Sequence, residues 1–314
     1  MTKSRTDVGL VWFLLFVFID IIDCENMKNV ALVCSSGSSR GLAQIGAIEV
    51  LQERGYNITS VAGCSVGAIV GGMCAAGKTE ELKQFFLDID KRRMLQLTDF
   101  SVTTSHLVKG DRLLEAFSAI VPDARIEDLP VPLSLIATDV LTGREYVFRS
   151  GDLSTAIRAS FSLPVVLRPV EYEGMLLMDG GLTNPLPLNR VKRTDGDLLV
   201  ALNVSAPLEQ EPQPAGWEQP SLLQRLEKLL GRTTASQSEA HQGEVSGYAD
   251  ILDRASDIML VQNAELVKTI CPPDMEMDIP INRFGSYDYD HAGELIAYGR
   301  QLMSAEIDRY EAGL

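Results

Sequence analysis

Apolar residues along the chain fall into two kinds of pattern. Continuous, partly β-branched runs at 29–34, 58–63 and 196–205 are typical of buried strands. Between the first two runs, leucine and isoleucine recur at helical spacing from 42 to 51, and Gly55 follows as a stop signal. Because strands alternate with helical segments, the pattern predicts an α/β fold with a central, mainly parallel sheet and helices on both faces.

The rest of the chain extends this pattern. A Pro- and Glu-rich stretch at 206–220 predicts an exposed loop. The part beyond that loop has too little predicted strand for a second domain, so residues 27–314 are expected to form one domain. Further helices are predicted at 66–77, 79–94, 153–162, 221–230, 244–267 and 291–311, and further strands at 131–140, 144–148 and 173–181.

Residues 1–26 precede this predicted domain and contain an apolar run at 8–19. The run follows Lys3 and Arg5, is shorter than the roughly 20 residues that span a bilayer, and lacks a small-residue cleavage site. Three interpretations stay open: a dispensable extension with Met27 as the true start, a membrane-targeting segment, or another role. The predicted location is the cytoplasm, with membrane association through 8–19 as the alternative.

The net charge argues against one class of partner, and the cysteines indicate the redox compartment. A formal net charge of −15 at pH 7 argues against nucleic acid, because binding to phosphate backbones relies on clustered Lys and Arg. The 5 cysteines are odd in number and form no C-x-x-C pair, which favours free thiols in a reducing compartment. No His/Cys cluster has zinc spacing and no EF-hand loop is present, so no metal or other cofactor is predicted. The sequence leaves the oligomeric state open.

The first candidate for chemistry is the G-x-S-x-G motif formed by Gly63-Cys64-Ser65-Val66-Gly67. It lies between a predicted strand and a predicted helix, the context in which such a motif presents a nucleophilic serine on a tight turn. The helix start would also place Ser65 where backbone amides stabilise an anion. The alternative is a tight turn or phosphate-binding loop with a passive serine.

A second strand-loop-helix junction, SSGSSRG at 35–41, offers backbone amides for a developing oxyanion. Gly37 and Ser38 are the candidate donors, and Arg40 either fixes the loop or approaches a phosphate. The alternative is an ordinary connection between strand and helix. The loop lacks G-x-x-x-x-G-K-[ST], which excludes a nucleotide P-loop motif.

A serine hydroxyl needs a base before it becomes a good nucleophile. The chain has 3 histidines, His106, His241 and His291, and the last two would keep a Ser…Asp…His order. Asp179 competes with them, because Gly180-Gly181 after it allow another loop to approach closely. From the residues alone, both kinds of base remain open.

Taken in order, five short blocks resemble the patatin-like phospholipases, especially their compact bacterial members, from about residue 29 to 204 and more faintly beyond. Each block is weak alone, and the match is specific because all five follow one another at family-like spacing. The blocks are Ser36-Gly37-Ser38-Ser39-Arg40-Gly41, Gly63-Cys64-Ser65-Val66-Gly67, Ala137-Thr138-Asp139 with Thr142-Gly143, Ala159-Ser160-Phe161-Ser162-Leu163-Pro164 through Pro169, and Asp179-Gly180-Gly181 followed by Asn184 and Pro185.

The resemblance implies a three-layer fold and a serine lipid-acyl hydrolase that uses a Ser–Asp dyad without histidine. Ser65 would then be the nucleophile, and Asp179 the base and later the acid. The implied substrate is a phospholipid or lysophospholipid ester met at a membrane surface. The residues that match the family's oxyanion loop and motif glycines are Gly37, Ser38 and Arg40, and Gly41, Gly63, Gly67, Gly180 and Gly181.

Two serines, Ser36 and Ser38, replace glycines of the family's oxyanion loop. Ser38 matters more, because a non-glycine residue adopts a positive φ reluctantly. Two alternatives to the Ser–Asp hydrolase therefore stay open: a non-catalytic lipid-binding or regulatory protein of the same fold, which Ser38 favours, and a Ser–His–Asp esterase that uses His241 or His291.

Residues 95–110 are expected to form a mobile flap, with an ordinary surface loop as the alternative.

Overall fold

The computed structural model describes residues 28–88, 119–164, 167–208, 248–285 and 288–313. In these residues, eight strands form one sheet in the order β5-β6-β3-β2-β1-β7-β8, with β4 paired to β3. Strands β8, β7, β1, β2 and β3 are mutually parallel, which confirms the expected mainly parallel sheet. The strands are β1 (Lys28–Cys34), β2 (Tyr56–Cys64), β3 (Leu133–Asp139), β4 (Arg144–Phe148), β5 (Val170–Tyr172), β6 (Met175–Asp179), β7 (Leu198–Ala206) and β8 (Met275–Pro280).

Helices cover both faces of this sheet, as the sequence pattern predicts. Side chains of β1 alternate between the faces: Val30 and Leu32 join one apolar cluster, and Ala31 and Val33 join another. The first cluster includes residues of α1, α2, α4 and α6, whereas the second includes residues of α5. The helices are α1 (Leu42–Glu53), α2 (Val66–Ala75), α3 (Thr79–Leu87), α4 (Leu153–Ser160), α5 (Tyr248–Ile270) and α6 (Ala292–Glu311).

Strand β3 brings the ends of two other strands together. Cys64 of β2 lies opposite Ile136, while Asp179 of β6 lies opposite Ala137. Because β4 pairs with both Ile136 and Ala137 on the other side of β3, strands β2 and β6 share one side. They run in opposite directions, so their carboxyl ends meet head-on beside β3. We call the edge at which β1, β2, β3 and β7 end the carboxyl edge.

Two strands depart from the sequence expectations. Strand β8 (Met275–Pro280) is an edge strand between the predicted helices 244–267 and 291–311, where the sequence predicted no element, and β5 (Val170–Tyr172) pairs with β6. In β8 the buried residues Met275, Met277 and Ile279 alternate with Glu276 and Asp278. The pattern is only six residues long and lies between prolines, so it does not identify a strand from the sequence.

Several expectations lie outside the described residues. They concern the apolar run 8–19, the flap 95–110, the helix 221–230, and His106 and His241. In the described ranges, Cys34, Cys64, Cys74 and Cys271 are free thiols. No helix found in those ranges is both long and apolar enough to cross a bilayer.

Candidate active site

Ser65 occupies the tight turn between β2 and α2. Its backbone has φ 56° and ψ −123°, a conformation that costs a non-glycine residue energy and is found where the surrounding structure enforces it. The residue is 1% exposed, and its Oγ donates a hydrogen bond of 2.6 Å to Oδ2 of Asp179. The serine and the carboxylate that the sequence singled out therefore lie in direct contact.

The two glycines of the G-x-S-x-G motif allow this turn to pack closely. A β-carbon on Gly67 would lie 2.2 Å from the carbonyl oxygen of Cys34, at the end of β1. A β-carbon on Gly63 would lie 2.3 Å from the carbonyl oxygen of Gly67. Both distances are far below van der Waals contact, so any side chain here would push the Ser65 turn away from the sheet.

Asp179 ends β6 and caps a short 3-10 turn, Gly180–Leu182. Its Oδ1 accepts a hydrogen bond of 2.8 Å from the Gly181 amide, and its own amide donates to the Ser162 carbonyl at 2.9 Å. Burial raises the pKa of the Asp179 carboxyl to about 6, against hydrogen bonds from Ser65 and Gly181 that favour the ionised form. The group is thus ionised at neutral pH and more basic than an ordinary carboxylate.

The glycines after Asp179 let its turn fit between neighbours. A β-carbon on Gly180 would lie 2.3 Å from the Ile136 carbonyl oxygen of β3 and 3.0 Å from Cys64 Sγ. A β-carbon on Gly181 would lie 2.8 Å from Cδ2 of Leu260 in α5. Helix α5 therefore packs directly on the turn that carries the carboxylate.

The loop after β1 packs on the start of α2. A β-carbon on Gly41 would lie 2.4 Å from the Val66 side chain. Gly37 has φ 157°, and a β-carbon on it would lie 2.5 Å from Val204 Cγ2. Ser38 has φ 53°, in the left-handed region. The positive φ considered from the sequence is therefore present at Ser38. Among the described residues, the amides of Gly37 and Ser38 donate to no protein acceptor.

The Arg40 side chain is 2% exposed and anchors this loop. Its Nε donates to the Val204 carbonyl at 2.9 Å, and Nη1 donates to the Phe284 carbonyl at 3.2 Å. These contacts join the loop to the end of β7 and to the segment after β8. Any part that Arg40 takes in oxyanion stabilisation stays a prediction.

His291 lies in the turn before α6, with Nδ1 3.3 Å from Glu294 and Nε2 3.8 Å from Asp290. The acceptor of the Ser65 hydroxyl is the Asp179 carboxylate, not this imidazole. Within the described ranges, no three His, Cys, Asp or Glu side chains are grouped as a metal site would require.

The side chains of two other motif residues, Asp139 and Ser160, hold the elements around the Ser65–Asp179 pair by hydrogen bonds. Asp139 accepts hydrogen bonds from Thr142 Oγ1 at 2.6 Å and from the Leu176 amide at 3.2 Å, which ties the β3–β4 turn to β6. The Thr142 hydrogen bond holds the pKa of the Asp139 carboxyl below its usual value. Ser160, whose role no local pattern indicated, accepts a hydrogen bond of 2.9 Å from the Ser65 amide.

Comparison with known proteins gives matches at the levels of family, sequence and fold. Residues 32–191 match the family model described as patatin-like phospholipase. An uncharacterized NTE family protein of Mycobacterium tuberculosis is 31% identical over 339 residues, covering 91% of this chain and 93% of that protein. Lysophospholipase nte1 of Emericella nidulans is 27% identical over 295 residues, covering 88% of this chain and 18% of that protein. The crystal structure of VipD from Legionella pneumophila aligns with a TM-score of 0.44 and 14% identity, over 90% of this chain and 67% of that one.

Proposed function

Because the chain belongs to the patatin-like phospholipase family, we propose that it hydrolyses carboxylic esters of lipids through Ser65 and Asp179. The observation that carries the proposal is the buried 2.6 Å hydrogen bond between these two side chains. The name of the Emericella nidulans relative, a lysophospholipase, supports phospholipids and lysophospholipids as the substrate class.

In the proposed acylation step, Ser65 Oγ attacks the ester carbonyl carbon while Asp179 Oδ2 takes the hydroxyl proton. The amides of Gly37 and Ser38 hold the oxyanion of the tetrahedral intermediate. Asp179 then returns the proton to the leaving alcohol, the C–O bond breaks, and an acyl-serine remains.

In the deacylation step, Asp179 takes a proton from water, and the water oxygen attacks the acyl-serine. Collapse of the second intermediate releases the fatty acid, and the proton passes from Asp179 back to Ser65 Oγ. A carboxylate whose pKa is about 6 suits both directions, because it is ionised at neutral pH yet holds a proton more firmly than an ordinary aspartate.

The proposed partner is a lipid surface, and exposed apolar residues at the carboxyl edge support it. Val140 and Leu141 follow β3, and Leu208 follows β7. Leu141 is 68% and Leu208 64% exposed. These three residues, the apolar rim, lie at the edge where Ser65 lies. With a net charge of −15, the chain suits an uncharged or zwitterionic surface better than an anionic one.

The test combines covalent labelling with turnover. The wild type is treated with a fluorophosphonate, the modified peptide is identified by mass spectrometry, and fatty acid release from lysophosphatidylcholine is measured. The variants are Ser65→Ala and Asp179→Asn, with Asp197→Asn as the matched buried carboxylate, at the start of β7 and away from the carboxyl edge, and with alanine at His106, His241 and His291. We expect label on Ser65 and fatty acid release in the wild type, both lost only in the first two variants.

Two other outcomes would contradict the proposal and identify the alternatives. Activity that survives Asp179→Asn and disappears with one histidine variant would indicate a Ser–His–Asp esterase. A folded wild type that neither labels nor releases fatty acid would indicate a non-catalytic lipid-binding or regulatory protein, the class that the serine at position 38 favours.

A further inference from the structure

The last residue of α4 and the segment that follows it contact both members of the Ser65–Asp179 pair. Ser160 Oγ accepts a hydrogen bond of 2.9 Å from the Ser65 amide. Two positions further on, the Ser162 carbonyl accepts a hydrogen bond of 2.9 Å from the Asp179 amide. Residues 160–162 therefore touch the Ser65 turn through a side chain and the Asp179 turn through the backbone.

We propose that Ser160 is a positioning residue, which holds the Ser65 backbone in its attacking conformation and, with Ser162, sets the separation of nucleophile and base. This inference rests on the proposed function. It assigns Ser160 no contact with substrate, so its effect on the reaction passes through Ser65.

The need for such a residue follows from the conformation of the turn. Ser65 has φ 56°, which a serine leaves readily unless neighbouring groups hold it. Its amide is buried and requires an acceptor, and Ser160, itself 0% exposed, supplies one from outside the turn. If that acceptor is removed, relaxation of the turn becomes favourable and moves Oγ away from Asp179.

The position of Ser162 is fixed by its own contacts. Its Oγ donates to the Arg158 carbonyl at 2.6 Å and accepts from the Arg158 guanidinium. Arg158 Nη2 in turn donates to the Arg168 carbonyl at 2.9 Å. Hydrogen bonds of Arg158 and Ser162 thus hold the segment at the end of α4, and they set the spacing between its contacts with Ser65 and Asp179.

The same hydrogen bond determines which amides serve the oxyanion. Since the Ser65 amide donates to Ser160, it is engaged in the resting protein. The amides of Gly37 and Ser38 then carry oxyanion stabilisation in the proposed mechanism. Loss of the Ser160 acceptor would therefore disturb positioning without removing an oxyanion donor.

The test compares three variants of the full chain. Ser160→Ala removes the acceptor, Ser160→Thr keeps a hydroxyl, and Ser60→Ala removes a buried hydroxyl of β2 that bonds to the Lys192 carbonyl, away from the dyad. Each is assayed on a water-soluble ester for kcat, KM and pH dependence, together with thermal unfolding. We expect Ser160→Ala to lower kcat about 10- to 100-fold with KM unchanged, and Ser160→Thr to restore most of kcat. The acid limb of the pH profile should move to higher pH in Ser160→Ala, because Asp179 loses the Ser65 hydrogen bond that favours its ionised form. A kcat within twofold of that of Ser60→Ala would overturn the inference.

A second measurement does not depend on activity. Amide hydrogen exchange of a peptide that contains Ser65 is expected to accelerate in Ser160→Ala and not in Ser60→Ala. Unchanged exchange would overturn the positioning role even in an active enzyme. If exchange accelerates in Ser160→Ala but the wild type hydrolyses no ester, the structural contact holds while the proposed function fails.

Discussion

At the scale of single residues, burial of the ionised Asp179 carboxylate lowers the free energy of unfolding. Its pKa is about 6 in the native protein, above the ordinary value of 3.8, because burial disfavours the ionised carboxylate. The native state therefore holds this proton more tightly than the unfolded chain. Stability falls as pH rises from about 4 to about 6, by about 3 kcal/mol in total, and the loss stays in place at higher pH.

Replacing Asp179, the proposed base, should therefore stabilise the protein while it abolishes the proposed ester hydrolysis. We expect Asp179→Asn to raise the free energy of unfolding at pH 8, by up to about 3 kcal/mol, and to have little effect near pH 4. Urea unfolding at both pH values measures this. Asp139→Asn serves as the control of opposite sign, because the lowered pKa of Asp139 means that its ionised form is stabilising. Equal effects of Asp179→Asn at the two pH values would contradict the expectation.

In the proposed mechanism, the same carboxylate sets the pH dependence of ester hydrolysis. Asp179 acts as a base only when ionised, so kcat/KM on a soluble ester should rise with pH through about 6 and then level off. An imidazole, with an ordinary pKa of about 6.5, would give a similar limb. The assignment therefore depends on His241→Ala and His291→Ala, each of which should leave both the rate and the limb unchanged. A limb that disappears in either variant would point to histidine.

Strain at Ser38 makes a third prediction. Ser38 has φ 53°, which glycine adopts without the steric cost that a β-carbon imposes. Ser38→Gly should raise the free energy of unfolding by up to about 1 kcal/mol and keep or increase the rate of fluorophosphonate labelling. Ser36→Gly is the matched control. Ser36 has no positive φ, so glycine there should lower stability by about 0.5 kcal/mol or more.

At the scale of elements, the sequence predicts what depends on local pattern. The motif around Ser65 and the glycines beside Asp179 are visible because a tight turn constrains neighbouring residues. No local pattern reveals the contact between Ser65 and Asp179, which the family resemblance alone implied, since it depends on β2 and β6 sharing one side of β3. For the same reason, Ser160 could be recognised as part of a family block, while its hydrogen bond to the Ser65 amide could not be predicted.

Helix α5 bears on the chemistry through Leu260. Its Cδ2 lies against Gly181, whose amide donates to Asp179. Because burial is what raises the Asp179 pKa, Leu260→Ala should admit water and shift the acid limb of kcat/KM below its wild-type position. Ile258→Ala, at a 63% exposed position of the same helix, controls for general effects on α5. A limb that stays in place in both variants would show that α5 does not control the hydration of Asp179.

At the scale of the whole molecule, the apolar rim is expected to bring the dyad to lipid. Leu141→Asp should lower the fraction of protein that co-sediments with phosphatidylcholine vesicles. It should also lower the rate of hydrolysis of a vesicle substrate relative to the rate on a soluble ester. Ile270→Asp is the matched control, because Ile270 is also 68% exposed but ends α5, at the sheet edge away from Ser65. Equal effects of the two variants would exclude a lipid-facing role specific to the carboxyl edge.

The head-on meeting of β2 and β6 also affects how the protein is made. Ser65 and Asp179 are 114 residues apart along the chain and come into contact only after both strands have paired with β3. Such distant pairings form late, because a long loop must close before they stabilise the chain. A growing polypeptide leaving the ribosome therefore carries an inert serine until β6 has been synthesised and docked. In the proposed mechanism, reactivity towards esters therefore arises only when the tertiary structure around Ser65 and Asp179 is complete.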